Sequence, residues 1–192
     1  MPREPRPMRA RAARAASLRT AMPTLDPEQL DRLRRGVPLR MSARGELLFD
    51  AEPVTHPRVR QALREGLDVS DGGEPIVRLG PQWCYLTIDD LPLRATAVRR
   101  DGDALLVRLD DGRELPLPLA TLWDEPDRGL RAEVPSRTSG RPLGVRFTSQ
   151  AHLDLSTFLE AGPEGDDGDA PSVLVLGPER RVIPREPPAV RS

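Results

Sequence analysis

Apolar and polar positions alternate with two different periods along this chain, and the switches between them mark its elements. At helical spacing, Val59, Ala62, Leu63, Gly66 and Leu67 fall on one face of a helix opened by Thr55-His56-Pro57. Arg58, Arg60, Arg64 and Glu65 take the other face, and Gly66 with the Asp71-Gly72-Gly73 loop ends the helix. A second helix, over about 27–35, is predicted from its ends. Asp26 stands as N-cap with Pro27 at the first position and Gln29 at capping-box spacing, Leu25 and Leu30 flank the cap as a staple, and Gly36 supplies the stop. The rest of the body reads mostly as strands: Leu47–Phe49 after the Arg44-Gly45 turn, Ile76–Leu79 and Trp83–Ile88 around Gly80-Pro81-Gln82, and a meander through Ala95–Arg99 and Leu105–Leu109. In Glu114–Leu119 the leucines alternate with Pro116 and Pro118, so this strand belongs at a sheet edge. Loop is predicted over 124–129 and a polar linker over 136–142, followed by Val145–Phe147, a helix near Asp154–Ala161, and strands Val173–Leu176 and Arg181–Ile183.

The two ends of the body read alike. Ile76-Val77-Arg78-Leu79-Gly80-Pro81 matches Val173-Leu174-Val175-Leu176-Gly177-Pro178, each preceded by an acidic glycine loop and a short helix. Two registers offer themselves for the helices: His56 with His152, which also pairs Leu63 with Leu159 and Gly66 with Gly162, or Thr55 with Asp154. The pattern implies an α+β, β-rich fold of two similar small strand–helix–loop–hairpin subdomains sharing a core. They are expected over 37–92 and, with the meander, 93–184, behind a capped helix within 22–36 and before a disordered tail over 185–192.

Residues 1–21 carry six arginines against one acid and almost no large apolar side chain, so they are expected to be disordered. A translation start at Met8 or Met22 is the preferred reading of that segment, over a basic arm for nucleic acid or a transit peptide. All 29 basic residues of the 192-residue chain are Arg, and with abundant Ala, Gly and Pro this looks like the coding bias of a GC-rich genome. Arginine richness is therefore discounted as a functional sign. A net charge of −1 gives no global pull toward nucleic acid or anionic membrane, and aromatic content of 3% leaves few stacking platforms for bases. Cys84 stands alone, so no internal disulfide forms. With no apolar run of membrane length and no secretory h-region, the expected location is the cytoplasm.

Met41-Ser42-Ala43-Arg44-Gly45-Glu46-Leu47-Leu48-Phe49 with Pro53-Val54, then Ile88-Asp89-Asp90-Leu91-Pro92-Leu93, then 142–160 and the final hairpin form an ordered set. That set resembles the bacterial family named domain of unknown function twelve eighty-five, over roughly 37–184. Leu93 stands where the family usually has an aromatic, and Arg180-Arg181 replace small and aromatic residues. The resemblance implies two similar β-rich subdomains and, at most, a role in signalling; it brings no catalytic residue with it.

Candidate chemistry is sparse. Cys84 alternates with Leu86 and Ile88, which is core behaviour rather than that of a nucleophile paired with His56 or His152. His56, before Pro57, reads as a cap-region residue, and His152 likewise. No Cys or His pair has structural zinc spacing, and Asp166-Asp167-Gly168-Asp169 lacks the alternating ligands and distal Glu of a calcium loop, so neither a metal nor a cofactor is expected. Adjacent Asp89 and Asp90 point oppositely on an extended chain. One turns the chain before Pro92, and the other is a candidate for a ligand cation or amine. Trp83, Tyr85 and Thr87 share a strand face with Arg78 on the neighbouring strand; if open, that face suits a small anion or a partner's aromatic group. The expected ligand-binding residues are thus Arg78, Trp83, Asp89 and Asp90. The leading expectation is a non-enzymatic binding or regulatory module for a small molecule or protein. The alternatives are an enzyme with a carboxylate site at Asp89/Asp90, and nucleic-acid binding through the N-terminal arm.

Overall fold

The computed structural model describes residues 26–162 and 170–187. The arginine-rich segment 1–21, Leu25 of the staple, the run 166–169 and the end of the tail lie outside the described residues. Helix α1 (Pro27–Arg35) forms as its ends dictate. Backbone N–H of Gln29 donates to the Asp26 carboxylate at 2.7 Å, the Gln29 side chain accepts from Asp26 N–H, and Gly36 follows as C-cap.

The chain next makes β1 (Leu39–Met41), β2 (Leu47–Phe49), β3 (Glu52–Pro53), α2 (Pro57–Glu65), β4 (Leu67–Val69), β5 (Pro75–Leu79), β6 (Gln82–Tyr85) and β7 (Thr87–Ile88). A meander of β8 (Leu93–Asp101), β9 (Ala104–Leu109) and β10 (Glu114–Pro116) leads through a 3-10 turn (Leu119–Thr121) into a second run. That run holds β11 (Trp123–Glu125), β12 (Gly129–Pro135), β13 (Pro142–Phe147), α3 (Ser149–Ser156), β14 (Leu159–Ala161), β15 (Ser172–Leu176) and β16 (Glu179–Val182). Four sheets result: β3-β2-β1-β7, β4-β5-β6, β10-β9-β8-β13-β12-β11 and β14-β15-β16. β10, with Pro116, lies at an edge, where its missing donors cost nothing. One buried cluster joins residues of all these sheets, with Met41, Leu93, Ala95, Val107 and Leu155 fully enclosed. Among the described residues no helix is long and apolar enough to cross a membrane.

This α+β architecture is partly repeated, and the hydrogen bonds fix the register that the sequence left open. Each run contains a hairpin, a third strand, a helix and an antiparallel meander. Leu67 pairs with Val77 as Leu159 pairs with Leu174, and Arg78 N–H donates to Gly66 C=O as Val175 N–H donates to Phe158 C=O. After each meander a buried residue turns back: Leu86 N–H to Pro75 C=O at 3.0 Å, Ile183 N–H to Ser172 C=O at 2.8 Å. Each run then closes on its own first strand, Thr87 beside Arg40 and Pro184 C=O accepting from Asp124 N–H. The pairing matches Leu67 with Leu159, so neither His56 with His152 nor Thr55 with Asp154 is the equivalence. His56 corresponds instead to Thr148, the two helix N-caps.

Three further expectations are corrected. Trp83–Ile88 is not one strand: the chain kinks at buried Leu86, leaving β6 in one sheet and β7 in another, parallel to β1. The last helix begins at Ser149 because the Thr148 hydroxyl accepts from Ala151 N–H, and residues 159–161 form β14 rather than helix. The expected loop at 124–129 contains the end of β11 and its hairpin turn into β12.

Candidate functional site

Three sides of a cavity of about 460 Å³ are built by the β1–β2 turn, the segment around β3 and one side of α2. Pro57, Arg60, Gln61 and Arg64 line it at positions i, i+3, i+4 and i+7, the spacing that aligns side chains along a helix. The turn residues Arg44, Gly45 and Glu46 face them, and Gly45 has φ 83°, a conformation glycine adopts without a Cβ penalty. Asp110, from the β9–β10 turn, completes the lining.

Arg64 locks these parts together. Its guanidinium donates to the Asp110 carboxylate and to Gly45 C=O, while the other Asp110 oxygen accepts from Arg94 N–H at 3.0 Å. Burial pushes the Asp110 carboxyl up, against the pull of Arg64. Gln61 is engaged too, its amide donating to Glu65 and to Asp111 C=O. Arg44 and Arg60 differ: both are exposed, and neither side chain forms an ion pair or hydrogen bond with a described residue. Two uncommitted guanidiniums therefore share one cleft with the Glu46 carboxylate, and with Arg64 offset by Asp110 the lining keeps one net positive charge.

The residues expected from sequence lie elsewhere and apart. Arg78 and Trp83 are cross-strand partners on the β5–β6 hairpin. Arg78 donates to the buried Asp68 carboxylate at 3.3 Å, which also accepts from the hydroxyls of Ser136 and Ser139. Burial opposes the charge of Asp68, yet these donors hold its carboxyl below the usual range. Helix α1 covers Trp83 and Tyr85: the Arg34 guanidinium lies 3.9 Å over the Trp83 ring and that of Arg35 3.8 Å over Tyr85, whose hydroxyl donates to Asp31. Thr87, expected on the same face, belongs to another sheet.

Asp89 and Asp90 lie in the bend after β7, not on an extended strand, and find different partners. Asp89 pairs with the exposed Arg40 at 2.8 Å. Asp90 is buried and receives Arg131 at 2.9 Å and Arg146 at 3.1 Å, while Arg131 also meets Glu125 at 2.6 Å. Burial again opposes ionisation, and the two guanidiniums overcome it, holding the Asp90 carboxyl low. Cys84 is half-buried against the core, and burial pushes its thiol up, away from the thiolate a nucleophile needs. His56 is the α2 N-cap but makes no side-chain capping bond. Among the described residues no three His, Cys, Asp or Glu side chains gather as a metal site would need.

Arg44, Arg60, Arg64 and Asp110 were not singled out by sequence. The helical stripe did place Arg60 and Arg64 on the polar face of α2; discounting arginine for its abundance hid them.

No protein-family model matches the chain, and no curated protein matches it. Two solved structures are similar. A DUF1285 family protein from Silicibacter pomeroyi DSS-3 superposes with a TM-score of 0.56 at 13% identity, over 77% of this chain and 79% of that one. A DUF1285 family protein from Shewanella baltica OS155 superposes with a TM-score of 0.51 at 13% identity, over 64% of this chain and 92% of that one. The chain thus has the fold of these DUF1285 family proteins, the family its sequence resembles.

Proposed function

We propose that this protein is a non-enzymatic binding module that takes a small polar anion, a carboxylate or phosphate compound, in the cleft beside α2. The observation that carries this reading is the pair Arg44 and Arg60: both line the cavity, and neither side chain has a hydrogen-bond or ion-pair partner among the described residues. Guanidinium forks on opposite walls suit the oxygens of such an anion. Arg64, spent on Asp110 and Gly45, sets the distance between those walls rather than supplying net charge. Binding without chemistry suits a regulatory role, in which ligand occupancy stiffens the turn and α2 together. The carboxylate-enzyme reading has less support, because Asp89 and Asp90 are both engaged by arginines.

Thermal melting of the full chain with inorganic phosphate, citrate, a nucleoside monophosphate and a cyclic nucleotide tests the proposal. A ligand at 100 times its Kd adds about 2.7 kcal/mol, a rise of roughly 5–10 °C for a chain of this size. The Arg44→Ala/Arg60→Ala double variant should lose that rise while keeping its unliganded Tm, both residues being exposed. No rise with any anion, or an undiminished rise in the double variant, overturns the reading.

A further inference from the structure

The α2 cleft has a counterpart. A cavity of about 380 Å³ lies beside α3, and the helix residues lining it are Ser149, His152, Leu153 and Ser156. These stand at i, i+3, i+4 and i+7, the positions taken on α2 by Pro57, Arg60, Gln61 and Arg64. The register of the repeat makes them equivalent one to one, since it sets Leu67 on Leu159 and the His56 N-cap on the Thr148 N-cap. Facing α3 is a hairpin turn with Arg128 and Gly129, as Arg44 and Gly45 face α2, and both glycines have positive φ, 75° and 83°. Two separate chain segments therefore enclose a space of the same construction twice.

We propose that this second cleft is a second ligand site, which takes a small anion carried on an apolar body, an aryl or alkyl carboxylate or phosphate monoester. The anion reading rests on that of the first cleft; the residues are the second cleft's own. Arg128 and Arg146 supply the charge. Among the described residues each meets one carboxylate, Glu125 at 3.6 Å and Asp90 at 3.1 Å, and each is substantially exposed, so donors of both forks stay free. His152, in the place of Arg60, makes no side-chain hydrogen bond or ion pair with a described residue. The inner end explains the apolar body. Where Arg64 plugs the first cleft, the second has Ser156, whose hydroxyl is turned back to Leu153 C=O at 2.7 Å. The 62%-exposed Leu153 is left as the apolar wall, with Leu130 and Phe147 buried behind the cleft floor. An exposed leucine beside two cations is what an amphiphilic anion would cover.

The two histidines of the chain make the test selective. His152 lines the second cleft, while His56 lies between Thr55 and Pro57 of the first. Imidazole proton resonances are followed during titration with phenyl phosphate, benzoate and inorganic phosphate at fixed pH. Phenyl phosphate or benzoate should shift His152 saturably, at least tenfold more tightly than inorganic phosphate, and the two arms tell a phosphate ester from a carboxylate. The shift should persist in Arg44→Ala/Arg60→Ala and weaken at least tenfold in Arg128→Ala/Leu153→Asp, whose exposed positions leave the fold intact, as its unliganded Tm would show. A His152 signal that never moves, a shift retained in the second variant, or equal affinity for inorganic phosphate each overturns the proposal. A Tm unmoved by inorganic phosphate and citrate beside a responsive His152 would sink the first cleft alone.

Discussion

Asp90→Asn keeps the side chain's shape, removes its charge and turns one of its two acceptor oxygens into a donor facing a guanidinium, which makes it a sharp probe of the arginine cluster. The Asp90 side chain is 7% exposed and that of Arg131 4%, with 2.9 Å between them. Breaking a buried pair by removing one partner costs about 3–5 kcal/mol, because the remaining charge stays desolvated. Glu125 still meets Arg131, and Arg146 can turn to water, so the expected cost is near the lower end, about 3 kcal/mol. For a chain of this length that is a fall in Tm of roughly 6–12 °C. Asp89→Asn is the control: its pair with exposed Arg40 should contribute no more than about 1 kcal/mol. The pH dependence follows from the low carboxyl of Asp90. A folded-state value below the unfolded one gives stabilisation that is complete above about pH 5 and lost as pH falls through the folded value. The Tm gap between wild type and Asp90→Asn should therefore close in acid. Urea and thermal melts from pH 3 to 7 measure it. Asp90→Asn and Asp89→Asn falling within about 0.5 kcal/mol of each other at pH 7 would refute the reasoning.

Two other substitutions test the packing around the repeat. A Cβ on Gly66 would lie 2.3 Å from Arg78 C=O, a backbone atom that cannot step aside, so Gly66→Ala should cost about 2–3 kcal/mol in urea denaturation, and a neutral result would contradict the β4–β5 pairing. Arg34→Ala should uncover the Trp83 ring, shifting tryptophan emission to the red against the buried Trp123 and costing about 0.5–1 kcal/mol; unchanged emission would mean that α1 does not cover β6.

Where a single local rule decides, the sequence was legible. The capping box and Gly36 bounded α1 to the residue, and Pro116 placed β10 at an edge. Where two local rules competed, tertiary pairing chose. The sequence starts the last helix near Asp154, but Thr148 caps α3 and Asp154 accepts from Val98 N–H at 2.9 Å instead. Leu86 reads as one more alternation in a strand, yet its burial swings the chain into another sheet. The repeat escaped a fixed register because its two runs differ in length within their connections, so one offset aligns the helices and another the hairpins. The site was the least legible part. What distinguishes Arg44 and Arg60 is that two guanidiniums with no partner among the described residues line the same cavity, a property of three dimensions only.

The closure of each run on its own first strand also governs the order of events during folding. Arg40 meets Thr87, and Asp124 meets Pro184, only after every intervening element of that run has been made. Such long-range pairing is slow to form, because the intervening loop must be closed first. During synthesis the first run has all its parts once Ile88 has emerged and can form its sheet while the rest of the chain is still being made. The second must wait for Pro184, so for most of its synthesis β11 exposes a sheet edge whose partner does not yet exist, and that interval is when the chain is most open to pairing with another copy.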